Sequence, residues 1–132
     1  MKTFKPLVVA ALLLTAGSVV AHHSYGMYYD LQQAVILKGK VTKVAFKAPH
    51  VLLTIETKNS GTWTAEWTNL MALARAGVDE NTIHLGDVLE IEACPSRDPD
   101  SRAVSALIDV KRASDGWHWS RDVVPPGPRV IE

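Results

Sequence analysis

Five histidines are the residues in this 132-residue chain best suited to chemistry, and two of them, His22 and His23, stand side by side. They follow a segment with the anatomy of a secretory leader. Lys2 and Lys5 precede an apolar run from Leu7 to Ala16, and small residues continue to Ala21. A cut between Ala21 and His22 leaves His22 with a free α-amine. That amine and the Nδ1 of the same residue can chelate one metal ion, and an imidazole from elsewhere completes a T-shaped set of three nitrogens. Tetragonal nitrogen sites suit Cu(II). A cut one residue earlier exposes Ala21-His22-His23, whose amine, backbone amides and third-position imidazole also hold Cu(II), in a square plane. The plainer reading is a polar start common to exported domains.

His50 is the best source of the further imidazole, because it follows the rigid Pro49 at the start of a strand. Its alternative role is a hydrogen-bonded histidine at a barrel end. His118, between Trp117 and Trp119, is a weaker candidate ligand and reads more simply as part of a surface aromatic cluster. His84 reads as a solvated connector residue. Glu66 lies between Trp63 and Trp67, where it either orients an imidazole from outside the metal's own ligand set or faces solvent from a strand, the second being plainer. No phosphate-binding glycine loop, nucleophile elbow or zinc-type cysteine pair is present in the sequence.

The elements that must position these residues are mostly strands. Val35 to Phe46 is apolar at Val35, Leu37 and Val41 and then at Val44 and Phe46, a change of phase that needs a bulge or sharp coil, for which Gly39 is the natural place. Val51, Leu53 and Ile55 alternate as a second strand, and Thr62 to Trp67 as a third with Trp63, Ala65 and Trp67 on one face. A short helix follows, capped by Thr68 or Asn69, carrying Leu70, Leu73 and Ala74 on one side and ending at Gly77. Val88 to Cys94 and Ala103 to Val110 complete the set, the last with Val104, Ala106, Ile108 and Val110 inward. Three strands, a helix and two strands is the order of a five-stranded OB-like Greek-key barrel. The expected organisation is a signal peptide at 1–21, a His/Tyr-rich arm at 22–33, the barrel at 34–112 and an extended Trp/Pro-containing tail at 113–132.

Formal charge is zero and the isoelectric point is near 7.0, so no basic field exists to attract nucleic acid. The leader's apolar run is short of the ~20 residues that span a bilayer, so no membrane span is expected after processing. A lone cysteine, Cys94, allows no internal disulfide in the periplasm or outside the cell, and reads as a small buried residue.

Several stretches also resemble a known family. Ala21-His22-His23-Ser24-Tyr25, Leu37-Lys38-Gly39-Lys40-Val41-Thr42-Lys43-Val44, Ala48-Pro49-His50-Val51 and Leu85-Gly86-Asp87-Val88 are similar to the exported bacterial proteins of unknown function grouped as DUF6152. So are Trp63 with Glu66 and the helix end Leu73-Ala74-Arg75-Ala76-Gly77. The chain departs from that pattern at Phe46, Ala48 and Glu92-Ala93-Cys94-Pro95. The resemblance implies a small periplasmic OB-like domain without an established activity.

The expected function is therefore an exported binding protein, not an enzyme, that holds copper or another divalent metal through His22, His23 and His50. The alternative is a metal-free module for a small ligand or a protein partner in the periplasm, with Trp63, Trp67, Tyr28 and Tyr29 as stacking surface. An oxygen-activating copper enzyme is the remote third reading.

Overall fold

A computed structural model describes residues 25–121 and 129–132. The segment expected to be a leader, His22, His23 and the stretch from Val124 to Pro128 lie outside them. Five strands close a barrel: β1 (Val35–Ala45), β2 (Leu52–Glu56), β3 (Thr62–Glu66), β4 (Val88–Pro95) and β5 (Ala103–Arg112). Their order around the barrel is β1, β2, β3, β5, β4 and back to β1. All neighbours are antiparallel except β3 and β5. With a short helix between β3 and β4, this is the OB-like architecture expected from the strand order.

The barrel closes because β1 serves two partners in succession. Val35 to Lys40 pair with β4, and Lys40 to Ala45 pair with β2. The strand must coil to reach both. Its register slips between Val41 and Lys43, so the bulge falls at Thr42 and not at Gly39, as the sequence led us to expect. Gly39 serves the crossing differently. A Cβ there would collide with the Glu56 carbonyl oxygen and lie 2.7 Å from Ile55 Cγ2. Only a residue without a side chain lets β1 pass this close to β2.

The second departure is in β5. Strict alternation would send Ala106 and Ile108 inward, but the barrel interior receives Val104, Leu107 and Val110. Ala106 has φ of 50°, a left-handed backbone that flips the phase of the strand. Opposite it, β4 advances from Glu92 to Cys94 while β5 runs from Asp109 to Ser105. Ala106 and Ile108 thus form a small second cluster with Ala34 and the buried thiol Cys94, and Tyr29 packs against it.

The helix α1 (Tyr25–Tyr28) precedes β1, and α2 (Leu70–Arg75) follows β3. Asn69 caps α2, its Oδ1 accepting from the Ala72 amide at 2.8 Å. Leu73 is buried under the barrel end, whereas Ala74, expected beside it, is exposed, because so short a helix buries only a narrow stripe. Gly77 ends it at φ of 75°. Among the described residues, no helix is long and apolar enough to cross a membrane.

The segment from 113 onward, read from sequence as a tail, contributes two strands. β6 (His118–Ser120) pairs with β5, and β7 (Arg129–Ile131) pairs in parallel with Val35 to Leu37 of β1. Each is three residues long, too short for a periodic signal, yet Trp117-His118-Trp119 does alternate. Trp117 and Trp119 pack on the core and His118 faces out. Trp119 meets the buried Trp67 edge to face, ring centroids 5.1 Å apart. The turn between β5 and β6 is held by Arg112, whose Nε and Nη2 donate to Asp115 at 3.0 and 2.9 Å. Arg112 and the Trp117 amide draw the Asp115 carboxyl from 3.8 down to about 2.

Two outcomes follow from these contacts. Gly39→Ala is expected to lower stability by about 2 kcal/mol or more, because the obstacle is backbone and cannot swing aside; a urea-midpoint comparison checks it. Asp115 stabilises the fold fully above its ordinary 3.8 and ceases to do so as pH falls through about 2. The gap in urea midpoint between wild type and Asp115→Asn should accordingly shrink across that interval.

Candidate functional site

Glu66 ends β3 at the rim of the barrel, and four parts of the chain meet there. Leu52 pairs with Glu66 across the β2–β3 ladder, and the Val51 amide donates to the Thr68 carbonyl at 3.1 Å. This brings His50, just ahead of β2 and behind the cis Ala48–Pro49 bond, alongside β3. Its Nδ1 lies 2.6 Å from Glu66 Oε1. The side chains of the pair are 30% and 25% exposed, so the imidazole is held by the barrel and still reachable from solvent.

The other carboxylate oxygen is served from β5. Parallel pairing of β3 and β5 sets Ala65 opposite Val104, and the next residue, the buried Ser105, places its hydroxyl 3.4 Å from Glu66 Oε2. The fourth part is the arm before β1. Tyr29 bridges to Ser96, the Asp30 amide donates to the Pro95 carbonyl at 2.8 Å, and the Arg97 amide donates to Tyr28 O at 2.8 Å. Anchored this way, Tyr29 hydrogen-bonds Glu66 through its phenol. Burial, then the Glu66 charge, then that hydrogen bond raise the phenol above its ordinary value.

One carboxylate therefore gathers His50, Ser105 and Tyr29. Its capacity suits this, since an ionised carboxylate accepts through both oxygens. A glutamate that grips one imidazole nitrogen fixes the ring's orientation and favours the tautomer with the proton on that nitrogen.

The other candidates separate from this group. His22 and His23 lie outside the described residues. His118 is bonded through Nε2 to Asp109, whose other oxygen takes Lys111 at 3.1 Å, on the outer face of β5 and β6. His84 is exposed, with its amide donating to Asp87 Oδ2 at 2.9 Å. Trp67, read as stacking surface, is 1% exposed inside the barrel and offers no accessible ring face. Its Nε1 has no acceptor among the described residues. Trp63 is half-buried against the core, with Nε1 donating to Ser60 O at 3.3 Å, while Tyr28 is exposed. Among the described residues, no three His, Cys, Asp or Glu side chains converge on one point as a metal set.

Sequence reasoning missed Ser105 and the tie between Tyr29 and Glu66. The first had a signal. Ser105 is a polar residue in the apolar run Val104 to Val110, and buried hydroxyls have partners.

A family model, Family of unknown function (DUF6152), matches residues 10–105. No curated protein and no solved structure matches the chain.

If Glu66 is the common tie, its loss is felt at several partners. Glu66→Ala should cost about 2 kcal/mol and Tyr29→Phe about 1 kcal/mol in denaturant unfolding. A double-mutant cycle on His50→Ala and Glu66→Gln should return a coupling of about 1 kcal/mol, discounted for partial exposure. Simple additivity would contradict the pairing.

Proposed function

The chain belongs to the DUF6152 family, and from that premise we propose that it is a small exported binding protein for copper or another divalent metal, without catalytic turnover. In this reading a leader is removed between Ala21 and His22, and the new terminus supplies the amine and imidazole of His22, with His23 beside them. His50 supplies the additional nitrogen.

The contact between His50 Nδ1 and Glu66 Oε1 carries the reading. Histidines that ligate metals commonly give their second ring nitrogen to a carboxylate, which sets the tautomer and raises the basicity of the ligating nitrogen. Glu66 stands in that relation to His50 and is itself braced by Ser105 and Tyr29. The anchoring of the arm supports the same reading. Tyr29 is tied to Glu66 and follows His22 by seven residues. Seven residues reach at most about 25 Å, a span that allows the new terminus to meet His50. Copper is favoured among divalent ions because nitrogen-rich tetragonal sets bind it most strongly.

A metal-free interaction module is the second reading. The exposed Met27 and Tyr28 on the arm favour it, although Trp67 takes no part in such a surface.

The test is a Cu(II) titration of chain whose first residue has been verified by mass spectrometry. One equivalent should bind to wild type. His22→Ala and His50→Ala should abolish that binding, and Glu66→Gln should weaken it by roughly 10- to 100-fold. Binding unaltered in His22→Ala, or a mature chain that keeps its leader, removes the metal reading and leaves the interaction module.

A further inference from the structure

Away from Glu66, the outer face of β4 and β5 holds a cavity of about 450 Å³, between Val88 and the turn from Ala113 to Gly116. Cavities of roughly 300–1,000 Å³ take small organic molecules. The floor is apolar. Val88 is 48% exposed there although it is a β-branched aliphatic residue in a strand, and Ala113 lies beside it, its amide donating to the Val88 carbonyl at 3.0 Å. Gly116 lines the cavity as well, and nothing stands within 4 Å of where a Cβ would be there.

The wall is cationic. Lys38, Lys111 and Arg112 line the cavity together with His118, against a single carboxylate, Glu90. Lys38 pairs with Glu90 at 3.2 Å. Lys111 is held by Asp109 at 3.1 Å, and Arg112 by Asp87 and Asp115 at 3.2 and 2.9 Å. Those three aspartates do not line the cavity. They fix the cations from outside it, and each lysine ammonium has three donors, of which one such pairing need occupy only one.

We propose that this cavity binds a small organic anion with an apolar body, a medium-chain carboxylate in kind. The chain lies on Val88 and Ala113, and the carboxylate is met by Lys38 and Lys111. None of these residues belongs to the His50–Glu66 group, so the site stands or falls independently of metal binding.

Octanoate is a suitable probe and octanol its uncharged control, each titrated into the mature chain while backbone amide NMR shifts are followed. Octanoate should give saturable shifts at Val88, Ala113 and Gly116, with octanol weaker by roughly tenfold, the scale of one charge-assisted hydrogen bond. In Lys38→Gln/Lys111→Gln the octanoate affinity should fall to that of octanol. Ala113→Trp should block both ligands, and Val88→Asp should do the same by placing a charge on the floor. Absence of saturable shifts at these amides overturns the proposal. So does octanoate affinity unchanged in the double lysine variant, or binding that persists in both blocking variants.

Discussion

The structure depends on the passage of β1 across β2 at Gly39. A barrel of only five strands closes when one strand belongs to two ladders in turn, and β1 does so by pairing with β4 and then with β2. At the handover its backbone runs so close to Glu56 and Ile55 that no side chain fits. The bulge at Thr42 then restores the inward phase, so that Val44 and Phe46 still pack on the core. Everything placed at the barrel rim, including the entry of β2 where His50 sits, takes its position from that crossing.

The two regions considered for binding use opposite physics. At Glu66 a single carboxylate concentrates hydrogen bonds from β2, β5 and the arm, which defines the direction of one imidazole. On the far face, charge is spread along the rim of an apolar floor, which favours attraction without fine geometry. The first arrangement suits a ligand that demands angles, such as a metal ion. The second suits a flexible ligand with one charged end.

Much of the fold was legible because the strands alternate and the helix is bounded by Asn69 and Gly77. Val51 to Ile55 and Val88 to Ala93 behave as their periods require. What could not be read were departures from period. The left-handed Ala106 gives no compositional warning, since glycine is the usual occupant of that backbone, and so Leu107 was not foreseen as core. The strands β6 and β7 are too short to be recognised locally and exist because β5 and β1 offer them edges. At the site, His50 was legible from Pro49 and its place at a strand start. Its contact with Glu66 required the β2–β3 register, and the involvement of Ser105 required the parallel β3–β5 pair, which links residues 39 apart in sequence.

The flipped backbone at Ala106 has a consequence for when the site comes into being during biogenesis. By turning Ala106 and Ile108 out of the barrel, it makes the patch on which Tyr29 rests. The same strand brings the Ser105 hydroxyl to the carboxylate. His50 and Glu66 can meet as soon as one hairpin forms, but the bracing around them waits for the last barrel strand to be synthesised and docked. A chain still emerging from synthesis would carry a loose imidazole, and a rigid one would mark a finished barrel.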